Sequence, residues 1–171
     1  TAAGDVSVTG NLTTTDATAG TVSVKATEGQ VTLTKAGTDV NGNTVNEVIN
    51  SANQATIEAI DQAGKGDNNE NDGNITINDD VKAADALLIT TDNGNITAGT
   101  ASTEGNTATI KAATTATIST TATGNIDVTG QISTGGVAGV TAGDVTVSTA
   151  TGNINLHDNG NAATPVISSG A

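Results

Sequence analysis

Gly124-Asn125-Ile126-Asp127-Val128 is the stretch whose reading decides the fold. Gly permits backbone conformations closed to other residues, and Asn tolerates turns while bonding to nearby backbone. The alternation that follows puts Ile126 and Val128 on one side of a strand and Asp127 on the other. The unit therefore reads as a turn followed by a short, half-buried strand. The same form, or nearly so, recurs at Gly4-Asp5-Val6-Ser7-Val8, Gly20-Thr21-Val22-Ser23-Val24, Gly29-Gln30-Val31-Thr32-Leu33 and Gly73-Asn74-Ile75-Thr76-Ile77. It appears again at Gly94-Asn95-Ile96-Thr97-Ala98, Gly143-Asp144-Val145-Thr146-Val147 and Gly152-Asn153-Ile154-Asn155-Leu156. Three related strands lack the leading Gly: Ala86–Thr90, Ala108–Ala112 and Ala116–Thr120.

Composition alone leaves a disordered chain open. Val, Ile and Leu number 33 of 171 residues, and 18 acidic residues against 5 lysines give a net charge of -13. Low aliphatic content with high charge ordinarily marks an unfolded segment. The register argues the other way, because the eight Gly-led units hold 15 of those 33 aliphatics. Disorder gives no reason to keep such an order.

Spacing selects the architecture. Val22 to Val31 and Val145 to Ile154 are nine residues apart, and Ile110, Ile118 and Ile126 follow at eight. Ile75 to Ile96 is 21 and Ile126 to Val145 is 19. Units of eight or nine, pairing into coils of roughly 18–21 residues with two or three strands each, predict a β-solenoid. At about 4.8 Å between strands, some eight coils would make a rod roughly 40 Å long. Phe, Tyr, Trp, Met and Cys are all absent. A narrow solenoid interior needs only stacked Val and Ile with Ala at the corners, while Thr suits the outer side of a strand. A β-sandwich also fits regular strands with turn signals, but it needs large residues to fill a slab about 10 Å thick.

From Thr44 to Ala63 the period changes to about 3.6, with Val45, Val48, Ile49, Ala52, Thr56, Ala59, Ile60 and Ala63 on one face. Thr44 with Glu47 reads as a capping box, and Gly64-Lys65 as a stop. The expectation is an inserted α-helix; the alternative is an irregular coil with Val48 and Ile57 at the nine-residue spacing. The predicted organisation is thus solenoid coils over 1–40, a helical insert and acidic loop over 41–72, and further coils over 73–171.

The acidic loop offers one metal candidate. Asn68, Glu70 and Asp72, with Gly73 for the turn and Asp79 at the twelfth position, partly match a calcium loop, whose alternate residues supply oxygens to one point. Asn in the first position, Asp in the last and strand-like residues between depart from that pattern, and a solvated connecting loop is the competing reading. Asp79, Asp80 and Asp85 read as a turn.

Catalytic chemistry is poorly provided for. His157 is the sole histidine, in Leu156-His157-Asp158-Asn159-Gly160, and reads as a surface turn residue. Without Cys or Arg, a hydrolytic triad has one candidate base and no evident nucleophile. Paired carboxylates could cleave glycosides, but the basic and aromatic residues that hold sugar are missing. Gly135-Gly136-Val137-Ala138-Gly139 lacks the lysine of a phosphate loop. The expectation is no enzyme and no required cofactor. Scarce cations and absent aromatics argue against nucleic acid, and no apolar run approaches the roughly 20 residues of a membrane helix. Thr-x-Thr triplets at Thr32–Thr34, Thr107–Thr109, Thr115–Thr117 and Thr121–Thr123 resemble ice-binding arrays, although their irregular spacing is explained by strand propensity.

The Gly-Asn-Ile-x-Val and Gly-Asp-Val-Thr-Val units, joined by Thr/Ala-rich spacers, resemble the repeats of filamentous-haemagglutinin-like adhesins of two-partner secretion systems. The resemblance covers most of the chain outside roughly residues 40–72. It implies a right-handed parallel β-helix, export to the bacterial cell surface, and a stalk that presents binding regions to a host or neighbouring cell. Surface-layer proteins, also acidic and rich in Thr, Ala and Gly, are the second resemblance and imply calcium-assisted lattices. The expected partners are neighbouring repeats of the same chain, or further copies placed end to end or side by side.

Overall fold

A computed structural model describes residues 1–35, 37, 47–61, 73–99, 108–158 and 166–169. The alternating units fold as short strands, and the chain visits three faces in a fixed order. One winding consists of β1 (Val6–Thr9), β2 (Leu12–Thr13) and β3 (Val22–Ala26). The next holds β4 (Val31–Thr34), β5 (Glu47–Ser51) and β6 (Ala55–Ala59), followed by β7 (Ile75–Ile77), β8 (Asp80–Ala83) and β9 (Leu87–Asn93). Then come β10 (Ile96–Ala98), β11 (Ala108–Ala112) and β12 (Ala116–Thr123). Strand β13 (Ile126–Thr134) runs unbroken round the first corner and serves two faces; β14 (Val145–Thr149), β15 (Ile154–His157) and β16 (Ile167–Ser169) complete the order.

Each strand pairs in parallel with its counterpart one winding away. Face 1 is β1-β4-β7-β10-β13-β15, face 2 is β2-β5-β8-β11-β13-β16, and face 3 is β3-β6-β9-β12-β14. This is a β-solenoid. Parallel pairing between successive windings rules out the antiparallel sandwich, and no helix occurs among the described residues.

The core is a set of side-chain columns running along the axis. On face 1, Val6, Val31, Ile75, Ile96, Ile126 and Ile154 stack in one column. Face 2 stacks Leu12, Ile49, Val81, Ile110, Ile132 and Ile167, and face 3 stacks Val24, Ile57, Ile89, Ile118 and Val147. Inner members such as Ile57, Ile96, Ile110 and Ile118 are fully buried. The end members Ile154 and Ile167 are each 41% exposed, since they have a stacking neighbour on one side only. The absence of aromatics follows from this geometry: three walls close on one another, and branched aliphatics with Ala26, Ala59, Ala83 and Ala112 fill the space.

The predicted helix over 44–63 is not formed. Where described, this segment is β5 and β6, joined at Ala52–Gln54. The period of 3.6 and the period of two share several residues here, and burial distinguishes them: Ala55, Ile57 and Ala59 point inward while Thr56 and Glu58 point out. β6 lies between β3 and β9, so both its edges find backbone partners that an isolated helix would have had to replace. A bulge between Glu47 and Ile49 buries Val48 and Ile49 together, which is what imitated a helical stripe. Residues 47–61 therefore belong to the coils; Thr44, Gly64 and Lys65 lie outside the described residues.

The windings are also wider than expected. Val22 to Val31, and Val145 to Ile154, are steps round a corner from face 3 to face 1, not windings. Ile110, Ile118 and Ile126 occupy faces 2, 3 and 1 in turn, and Ile126 and Val145 lie on different faces. A winding is read from the pairs themselves: Val6 with Val31, 25 residues on, and Ile75 with Ile96, 21 residues on. With three strands per winding, the chain makes fewer coils than the eight predicted.

Candidate functional surfaces

The Gly-Asn turns align into a polar ladder along the edge of face 1. The side-chain oxygen of Asn74 accepts the amide of Asn95 at 2.8 Å, that of Asn95 accepts Asn125 at 2.9 Å, and that of Asn125 accepts Asn153 at 2.8 Å. Asp5 does the same for Gln30 at 2.9 Å. The preceding glycines lie where backbones of adjacent windings come closest. A Cβ on Gly124, whose φ is +140°, would overlap the carbonyl oxygen of Gly94. Sequence reading assigns these Asn residues to local turns; their longer-range role is to hand one hydrogen bond to the next winding. Recurrence of Asn directly after Gly at 74, 95, 125 and 153 was the available signal.

Buried hydroxyls close other corners. Thr14 Oγ1 donates to the Gly20 carbonyl at 2.6 Å, Thr91 Oγ1 to Gly73 at 2.6 Å, and Thr134 Oγ1 to Gly143 at 2.7 Å. Each satisfies a carbonyl at a turn that the sheet ladder does not reach. These threonines are structural.

Of the candidate calcium ligands, Asn68, Glu70 and Asp72 lie outside the described residues. Asp79 is described, and its carboxylate faces Lys35: Oδ1 lies 3.1 Å from Nζ and Oδ2 accepts the Lys35 amide at 2.9 Å. Its neighbours diverge from it. Asp80 Oδ1 accepts the amide of Thr109 at 2.7 Å, whereas Asp85 Oδ1 accepts the Thr114 hydroxyl at 2.9 Å. These carboxylates fasten one winding to another, and among the described residues no three acidic or histidine side chains are grouped to hold a metal.

His157 ends β15, and its Nε2 lies 3.8 Å from Asp127 Oδ2 on the adjacent strand. Both side chains are substantially exposed. Asp16 is held below the ordinary carboxylate range by the Thr18 hydroxyl at 2.7 Å and then by the Thr18 amide at 2.9 Å.

The outer surface of face 3 is flat and mostly hydroxylic. Ser23, Thr56, Leu88, Thr117 and Thr146 form one row, and Lys25, Glu58, Thr90, Ser119 and Ser148 another. Lys25 and Glu58 pair at 2.9 Å, and the hydroxyls of Thr90 and Ser119 are 3.1 Å apart. Of the Thr-x-Thr triplets, Thr32 and Thr34 lie on β4, and Thr121 and Thr123 on β12. They sit on different faces and do not merge into one array; Thr107 is outside the described residues. At the edge of face 3 a shallow cavity of about 260 Å³ is lined by Glu58, Ala59, Ile60, Thr90, Thr91, Asp92 and Thr121. Its polar groups are already engaged: Glu58 by Lys25, Thr91 by Gly73, and Asp92 by the amides of Asp61 and Asn93. The chain matches no family model, no curated protein and no solved structure.

Proposed function

We propose that this chain is a structural and adhesive stalk segment of a secreted bacterial surface protein, of the filamentous-haemagglutinin-like kind, wound in a right-handed sense. On this reading it is a stiff extracellular spacer, not an enzyme, and needs no cofactor. The observation that supports it is the unbroken run of parallel pairing through successive windings on all three faces. Hydrogen bonds and side-chain columns all lie along one axis, so bending the rod opens several columns at once. The polar side chains described above are used to join windings, which suits a load-bearing role better than capture of a small ligand. An acidic surface keeps neighbouring rods apart. Its partners would be further windings of the same chain, copies placed end to end or laterally, and a host or neighbouring-cell surface.

Calcium separates this reading from a surface-layer module. The stalk keeps its far-ultraviolet circular dichroism and its sedimentation behaviour in millimolar calcium and in chelator alike, and fluorescently labelled chain binds target cells in both. Calcium-dependent ordering or lattice formation would instead favour the surface-layer reading, with Asn68, Glu70, Asp72 and Asp79 as the ligands to mutate. Release of sugar from a polysaccharide, abolished by Asp79→Ala or Asp80→Ala, would overturn both.

A further inference from the structure

We propose that the two ends of the solenoid are complementary, and that a second copy of this chain joins head to tail with its windings continuing in register. The ladders carry this inference. Within the chain each Asn accepts the amide of the corresponding residue one winding on, and Asn153 is the outermost member, its side-chain oxygen accepting nothing. At the opposite end the Asp5 amide is the matching donor, and no winding precedes it to take that bond.

The apolar columns agree. Half-buried Val6, Val8 and Leu12 form the first rim, while Leu156 and the exposed Ile154 and Ile167 form the last. Placing Val6 of a second copy over Ile154 puts Val8 over Leu156 and Leu12 over Ile167. The same placement sets Ser7 over Asn155 and Thr9 over His157, so no like charges are stacked.

The shapes of the ends agree as well. At the far end faces 1 and 2 each carry a strand, β15 and β16, beyond the level of β14, the outermost described strand of face 3. At the near end the step is inverted: Ala2 already lies on face 3, bridged to Ala26, ahead of β1 and β2. Ala26 and Thr149 occupy the same column through Ala59, Thr91 and Thr120. A copy that places Val6 over Ile154 therefore brings its own Ala2 over Thr149, into the step. Three separate registers are met by one placement. The contact is heterologous, so each added copy leaves a fresh end and the product is an open filament.

This inference stands on the fold and not on the adhesive reading, whose failure would leave it intact. The cysteine-free sequence makes the test clean. Registered neighbours on adjacent strands are about 4.8 Å apart, within the Cα range of a disulfide. Asp5→Cys and Asn153→Cys chains, each verified as β-rich, are mixed under mild oxidation. The expected result is a mixed disulfide dimer at least tenfold more abundant than either self-linked dimer, and a ladder of multimers from the double variant. A second pair, Ser7→Cys with Asn155→Cys, reads the same register without disturbing the bond from Gln30 to Asp5. Self-linking as efficient as mixed linking, or no linking in either pair, would overturn the proposal.

Discussion

Close stacking at the Gly-Asn corners makes a quantitative demand on four glycines. Gly4 has no neighbour within 4 Å of an added Cβ and no positive φ. Gly10 has φ +148° but open space, so alanine there meets backbone strain alone. Gly94 has no positive φ, but its Cβ would press on the Gly73 carbonyl and the Asn74 amide. Gly124 combines φ +140° with overlap of the Gly94 carbonyl. Strain of this kind costs about 1–3 kcal/mol, and forcing packed backbone apart costs about 1–3 kcal/mol more. Gly4→Ala should range from no change to a gain of about 1 kcal/mol. Gly10→Ala and Gly94→Ala should each lose about 1–3 kcal/mol, and Gly124→Ala about 2–6 kcal/mol, near the sum. Against a typical domain stability of about 5–15 kcal/mol, the last is a large fraction. Urea unfolding followed by far-ultraviolet circular dichroism reads the series, since the chain has no Trp or Tyr to report by fluorescence. If Gly124→Ala were no more costly than Gly10→Ala, the close approach of windings would contribute nothing and the corner geometry would be wrong.

Position along the axis should set the cost of truncating a column. Ile118→Ala, between Ile89 and Val147, should lose about 2–5 kcal/mol in urea unfolding, and Ile154→Ala, at the exposed end, distinctly less. Asn95→Ala removes the acceptor for the Asn125 amide and should cost about 0.5–1.5 kcal/mol, with Asn95→Asp recovering most of it above pH 5. The partly exposed Lys25–Glu58 pair should be worth about 0.2–1 kcal/mol in a double-mutant cycle, shrinking in 1 M salt. Asp16 should titrate by NMR below its ordinary value, and Thr18→Ala should raise it. Because its folded pKa is depressed, its small contribution is present above the unfolded pKa and is lost as pH falls through the folded value.

The alternation in Val6–Val8, Val22–Val24, Ile75–Ile77, Ile126–Val128 and their relatives determined strand, inward face and stacking by itself, because a period of two leaves a strand one way to bury branched side chains. The missing aromatics likewise pointed to a thin interior. Sequence could not say which eight- or nine-residue steps were corners and which were windings, since Val22 to Val31 and Ile110 to Ile118 look alike until pairing partners are known. It could not exclude a helix over Val48–Ile60 either. There both periods fit the same residues, and the choice was made by β3 and β9, which offer β6 backbone partners on both edges. The role of Asn74, Asn95 and Asn125 belongs to the same class. Their bonds reach residues 21 to 30 positions away, so local chemistry supplied the side chain and the stacking of windings supplied its partner.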